Sequence, residues 1–213
     1  MPYTINLIPS TLNPTPSTLP VMEHFYTLQG EGKHQGKAAY FIRLGGCDVG
    51  CVWCDVKESW DKDKHLFSIE ELISSIKKTP AKIIVITGGE PLLHDLSLFT
   101  TELKKEGLLT HIETSGSSPL SGNWDWITLS PKKFKAPLPD VLMHADELKI
   151  IVFNKSDFNW AEKHAALISQ KCILYLQPEW NKAAAITPLI IDYIKANPRW
   201  QLSLQIHKYI NVP

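Results

Sequence analysis

The chain has 213 residues, 44% hydrophobic and 21% charged, which places it among globular proteins and away from disordered or fibrous classes. Its 22 basic residues balance 22 acidic ones, so it lacks the basic excess of a nucleic-acid or anionic-membrane binder. No apolar run approaches the ~20 residues of a membrane span, and the N-terminus lacks the basic and apolar regions of a signal peptide; the expectation is a soluble, cytoplasmic protein without nucleic-acid or membrane partners.

Residues 1–20 are rich in proline, serine and threonine without apolar periodicity, and read as an extended arm ahead of a single domain, 21–213. From residue 39 onward, short apolar segments alternate with amphipathic ones. Strands are predicted at Ala39–Leu44, Lys82–Thr87, Thr110–Thr114, Trp126–Leu129, Glu147–Val152, Lys171–Gln177 and Leu202–Ile206. The run Ile83-Ile84-Val85-Ile86 is continuously apolar, as in strands of parallel sheets covered on both faces. Asp61 to His65 reads as a solvated loop.

Helices fall between the strands. Ser68 followed by Glu71 forms a capping box ahead of an apolar face of Ile69, Leu72, Ile73 and Ile76. A second helix is predicted from near Asp95 to Glu106 with Gly107 as its stop, and a third over about Asn159–Ser169. The last carries Ile186, Leu189, Ile190 and Tyr193 on one face and ends before Pro198. Repeated βα units imply a parallel sheet, open or barrel-like, with its chemistry at the C-terminal strand ends.

Four cysteines are too few and too clustered for a disulfide framework. Cys47, Cys51 and Cys54 follow the first predicted strand with the spacing C-x3-C-x2-C, and three thiolates so placed can hold one iron–sulfur cluster. Three ligands on a [4Fe–4S] cluster leave one iron open. A structural zinc site is the alternative; it wants a fourth ligand and usually two paired ligand sets. Cys172, in an apolar strand, reads as a core residue.

The cysteine spacing, with Thr87-Gly88-Gly89-Glu90-Pro91 at the end of the Ile-rich strand, resembles the radical S-adenosylmethionine (SAM) enzymes. Further runs resemble the 7-carboxy-7-deazaguanine synthase family: Glu23–Gly32 with Leu28-Gln29-Gly30-Glu31-Gly32, Phe41–Cys47 with Phe41-Ile42-Arg43-Leu44, Ile112-Glu113-Thr114-Ser115-Gly116, Leu129-Ser130-Pro131-Lys132, Leu176-Gln177-Pro178 and Gln205–Pro213 with Gln205-Ile206-His207-Lys208-Tyr209. The resemblance implies an α/β fold, a modified partial (β/α)6 TIM-like barrel of radical SAM type. It implies a carbon–nitrogen lyase of queuosine biosynthesis, converting 6-carboxy-5,6,7,8-tetrahydropterin to 7-carboxy-7-deazaguanine with loss of ammonia. A [4Fe–4S] cluster on Cys47, Cys51 and Cys54, reduced by a donor such as flavodoxin or ferredoxin, would cleave SAM to a 5′-deoxyadenosyl radical. A homodimer is implied as well.

Carried over residue by residue, Trp53, Cys54, Asp55, Gly89, Ser130, Pro131, Lys132, Gln177, Pro178, Glu179 and Trp180 match segments that contact SAM, and Glu90 is expected to shape that site. Leu28, Gln29, Gly30, Arg43, Thr87 and Pro213 match the substrate pocket, with His207 as a further polar contact. Arg43 offers a fork for the substrate carboxylate, and the glycines leave strand-end backbone open to the SAM ammonium group. Simpler readings stay open: a surface ion pair for Arg43, a structural histidine at His207, turn shaping by Gln29 and Glu31, a lysine partner for Glu90, and solvated surface for part of Lys132, Lys133 and Lys135.

The resemblance also implies Mg2+, held partly by a threonine two residues after the third cysteine. Val56 stands there and has no oxygen, whereas Mg2+ takes oxygen ligands. Either water, substrate and Asp55 complete such a site or the ion is absent. An activase that installs a glycyl radical on a partner would share the cysteine and Gly-Gly-Glu-Pro runs, but not Arg43 with the Leu28–Gly32 segment.

Overall fold

Alternation of branched apolar residues with turn residues yields nine strands and six α-helices in the computed structural model, which describes residues 17–52, 54 and 56–213. In chain order these are β1 (Thr18–Leu28), β2 (Ala38–Leu44), β3 (His65–Ser68), α1 (Ile69–Lys77), β4 (Ile83–Gly88), α2 (Ser97–Lys105), β5 (Leu109–Thr114), β6 (Trp126–Leu129), α3 (Pro139–His144), β7 (Glu147–Val152), α4 (Ser156–Ala165), β8 (Ile173–Pro178), α5 (Ala183–Ala196), β9 (Trp200–Leu202) and α6 (Ile206–Ile210). One sheet runs β3-β1-β2-β4-β5-β6-β7-β8-β9. β1 is antiparallel to β2 and β3, and every later pairing is parallel. The linear order makes a partial barrel, one short parallel strand (β9) longer than the six-unit expectation.

The two faces of the sheet differ. Ile42, Leu44, Ile84, Ile86, Leu148, Ile150, Leu174 and Leu176 turn towards the helices and build the main core. On the concave face a small apolar group, Ala39, Ile83 and Val85 with Phe41, occupies one end. Along the rest of that face the inward positions include a set of polar side chains, Arg43, Thr87, Glu113, Lys149 and Gln177 among them. The polar stripe positions the site.

Element ends follow their local chemistry. Ser68 Oγ accepts from Glu71 N at 3.1 Å and Glu71 Oε2 from Ser68 N at 2.7 Å, the expected capping box. α2 begins at Ser97, where Asp95 Oδ1 accepts from Ser97 N, and stops ahead of Gly107 in the left-handed region at φ 70°. α4 starts three residues earlier than expected: Asn154 Oδ1 accepts from Ser156 N at 2.9 Å, and Asp157 Oδ2 accepts from Asn154 N at 3.0 Å just ahead of the helix.

Two expectations are corrected. The boundary at residue 20 falls inside β1: Thr18, Leu19 and Pro20 pair with β3 opposite Ser68, Phe67 and Leu66, and Leu19 is 1% exposed. Residues 1–16 of the expected arm lie outside the described residues. The strand expected at Leu202–Ile206 is β9, Trp200–Leu202; the chain leaves the sheet at Ser203 and Ile206 opens α6, its N–H donating to Gly30 O at 3.0 Å.

Candidate functional site

A cavity of about 410 Å3 opens at the C-terminal ends of the parallel strands. Cys47, Cys51 and Cys54, all free thiols, line it together. Burial pushes the Cys47 thiol up, with Glu90 and Cys54 adding to it; burial does the same to Cys51 against the pull of Lys132. A metal must displace those protons, since the thiolate is the ligand form. Among the described residues no three His, Cys, Asp or Glu side chains converge on a single metal ion. Three cysteines without a fourth paired ligand suit an iron–sulfur cluster better than a structural zinc ion.

The Gly88-Gly89 pair fixes that lobe. A Cβ on Gly88 would overlap Leu44 O and lie 2.6 Å from Leu44 N; one on Gly89 would overlap Gly46 O and lie 2.7 Å from Cys47 Cβ. Gly89 N donates to Leu44 O at 3.1 Å and Glu90 N to Gly46 O at 2.9 Å. The glycines therefore let the end of β4 pack directly on the backbone that leads into the cysteines, besides lining the cavity themselves. The open-backbone expectation accounted for only the second of these roles.

Glu90 is not among the residues that line the cavity, and among the described residues no ion pair joins it to a lysine. It is 1% exposed, and its carboxylate accepts from Thr114 Oγ1 at 2.5 Å, Leu92 N at 3.0 Å, Ser115 N at 2.8 Å and Ser115 Oγ. It ties the loop after β4 to the end of β5. Pro131 also lies outside this cavity; it borders a neighbouring pocket with Val52, Phe153 and Trp160. Trp53 and Asp55 lie outside the described residues.

The other residues singled out from the sequence meet at the cavity: Leu28, Gln29, Gly30, Arg43, Thr87, Gly89, Ser130, Lys132, Gln177, Pro178, Glu179, Trp180, His207 and Pro213. Arg43 sits on β2 beside Thr87 of β4, and its Nε donates to Glu23 Oε1 at 2.6 Å. An ion pair and a cavity position thus coexist. Gly30 gives His207 its place: a Cβ there would overlap His207 Nδ1 and lie 2.7 Å from Cγ. Lys132 Nζ donates to Ser130 Oγ at 2.6 Å, while burial and the nearby Lys149 charge pull its pKa down. Lys133 and Lys135 turn instead to Asp157 and Asp48. Thr27 Oγ1 donates to Pro213 O at 3.3 Å, which ties the C-terminal segment to β1. Cys172 is buried, with its thiol pushed up to about 12 by that burial, and behaves as core.

Sequence reasoning assigned no site role to Glu113 or Lys149; with Glu31, for which turn shaping was the simpler reading, they form a polar wall of the cavity. Lys149 Nζ donates to Glu31 and, at 3.2 Å, to Glu113 Oε2; Gln29 Nε2 donates to Glu113 Oε1 at 2.9 Å and Gln29 Oε1 accepts from Glu31 N at 3.0 Å. Burial works against the Lys149 charge, but Glu113, Glu31 and Glu147 overcome it and raise its pKa. Likewise burial opposes the Glu31 charge and Lys149 prevails, holding its carboxyl below the usual range. The available signal was a lone lysine at an inward position of an apolar strand, Glu147-Leu148-Lys149-Ile150-Ile151-Val152.

A model of the radical SAM superfamily matches residues 41–134, which span the cysteines, the glycine pair and Ser130–Lys132. A 7-carboxy-7-deazaguanine synthase of Flavobacterium psychrophilum is 54% identical over 195 residues, 92% of this chain and 93% of that protein. This chain belongs to the 7-carboxy-7-deazaguanine synthase family. Another member, from Synechocystis, is 48% identical over 194 residues, 91% of this chain and 93% of its own. The crystal structure of QueE from Escherichia coli superposes with a TM-score of 0.80 at 36% identity, covering 88% of this chain and 94% of that one. Membership of this radical SAM family implies a [4Fe–4S] cluster and SAM, and sets aside the zinc-module and activase readings.

Proposed function

We propose that this chain converts 6-carboxy-5,6,7,8-tetrahydropterin to 7-carboxy-7-deazaguanine with release of ammonia, as a carbon–nitrogen lyase of queuosine biosynthesis. The observation that carries this reading is one cavity that brings together three free thiols, the Arg43 side chain and the hydrogen-bonded set of Gln29, Glu31 and Glu113. Cys47, Cys51 and Cys54 would hold the cluster, and Gly89, Ser130, Lys132 and Gln177–Trp180 would hold SAM. Bound there, the pair supplies one-electron reductive cleavage of SAM, chemistry that belongs to the cofactors.

The protein's own residues orient and exclude. Glu23 occupies Nε of Arg43, so the Nη pair is the edge that meets the substrate carboxylate. Gln29, Glu31 and Glu113 offer acceptors to the N–H groups of the pyrimidinone, and Leu28, Gly30, Thr87, His207 and Pro213 close the walls around it. Shielding from water protects a reactive radical from stray hydrogen donors.

Magnesium does not fit the described residues. Val56 lines the cavity without an oxygen, and the carboxylates of Glu31 and Glu113 are engaged by Lys149. The reading includes cytoplasmic location, a homodimer, and an external donor such as flavodoxin or ferredoxin.

Anaerobic reconstitution followed by incubation with SAM, reductant and the carboxy-tetrahydropterin tests the assignment by mass analysis of the product. The expected result is 7-carboxy-7-deazaguanine with matching ammonia. Alanine at any one of the three clustered cysteines should abolish it. Protein that holds iron and binds SAM yet leaves the pterin unchanged would refute the proposal.

A further inference from the structure

Lys149 stands out because an inward position in the middle of a buried strand is where a barrel normally places an apolar side chain. It is 4% exposed, lines the cavity, and bridges carboxylates from two distant parts of the chain, Glu31 after β1 and Glu113 on β5. A buried lysine is tolerated only when paired, and two carboxylates brought into one site repel unless a cation lies between them. The network is closed: Gln29 bonds Glu113 through its amide nitrogen and Glu31 N through its amide oxygen, which fixes the orientation of that amide as well. A carboxylate offers about four acceptor sites. Those of Glu113 receive one donor on each oxygen among the described residues, which leaves acceptor capacity on the cavity side.

We infer that Lys149 is a positioning and specificity residue: its ammonium holds Glu31 and Glu113 together as a paired acceptor wall for the N–H-rich edge of the ligand whose carboxylate Arg43 takes. This rests on the proposed function and names what selects the substrate's heterocycle. A ligand with a carboxylate at one end and an amino-pyrimidinone at the other matches a cavity with a cation on one wall and acceptors on another. A ligand with a carbonyl in place of the exocyclic amine would set acceptor against acceptor.

The test uses anaerobically reconstituted enzyme with SAM, and 6-carboxypterin, the oxidised fluorescent analogue, as a non-reacting probe. Lys149→Met should weaken probe binding roughly tenfold or more, because charge-assisted hydrogen bonds at this wall lose their geometry. The KM for the tetrahydropterin should rise in parallel, with iron content and SAM binding unchanged. Lys149→Arg, which keeps the charge, should recover most of the loss. Wild-type enzyme should bind 6-carboxylumazine, in which a carbonyl replaces the amine, roughly tenfold more weakly or worse; this comparison tests the acceptor wall, and if Lys149→Met does not fold, Lys149→Gln in its place tests the charge that holds it. The inference is overturned by a folded Lys149→Met that binds the probe like wild type, by no rescue with arginine, or by equal affinity for the two probes. Wild type that turns over while Lys149→Met matches it sinks the Lys149 assignment alone; wild type that neither binds nor converts the pterin sinks the proposed function.

Discussion

Arg43 and Gly89 show how single residues serve the site in opposite ways. Arg43 contributes a side chain, and its Nε bond to Glu23 presets the guanidinium plane before a ligand arrives. Arg43→Ala should raise the KM for the pterin roughly 10- to 100-fold, the worth of one charged hydrogen-bonding pair, while cluster content and SAM binding persist; steady-state kinetics beside iron analysis checks this. Gly89 contributes the lack of a side chain. Gly89→Ala drives a methyl into Gly46 O and Cys47 Cβ, an overlap costing on the order of 1–3 kcal/mol if the loop cannot yield. Reduced iron uptake on reconstitution, with unchanged far-UV circular dichroism, is the expected outcome.

Strand β1 and helix α1 carry the tests at the level of elements. Leu19 packs in the main core although it stands among Thr18, Pro20 and the preceding proline-rich residues. Leu19→Ala should destabilise by about 2–4 kcal/mol as a buried leucine truncation does. Ser68→Ala removes one half of the capping box and should cost about 1 kcal/mol; urea denaturation of both variants measures the difference. The cap was legible in the sequence because both partners lie three residues apart. The beginning of β1 was not, since its composition resembles an arm and its strand character comes from pairing with β3, residues His65–Ser68. The strand expected at Leu202–Ile206 was misplaced for a similar reason: Ile206 N donates to Gly30 O, an anchor far away in sequence, at the start of α6.

At the scale of the whole molecule, the concave face holds a second polar group besides the site. His111 on β5 lies 4.5 Å from the His34 ring, centre to centre, with Trp126 edge-on to His34 at 4.7 Å. Burial, helped by repulsion from His34, Lys37 and Lys104 and opposed by Asp125, holds the His111 pKa down to about 4 from its ordinary 6.5. The unfolded chain therefore takes up this proton near pH 6.5, while the folded chain resists until about pH 4. Stability is unaffected by this group above pH 6.5 and falls as pH drops through the window. Between pH 7.5 and 5 the loss should be about 2 kcal/mol, read from anaerobic urea unfolding at the two values, and His111→Gln should remove most of it. An unchanged slope in that variant would assign the pH dependence to other groups.

What the sequence determined by itself was the kind of chemistry and the alternation of elements. Cysteine spacing, the glycine pair, helix caps and apolar runs are local patterns, so neighbours in the chain suffice to specify them. Tertiary structure alone decided which polar residues share a wall. Lys149 meets Glu31 across 118 positions and Gln29 meets Glu113 across 84. It also decided that Glu90 braces a loop rather than facing the cavity. Such meetings depend on strand order and register in a curved sheet, where a residue's partner is set by which strand lies alongside, and no window of sequence carries that information.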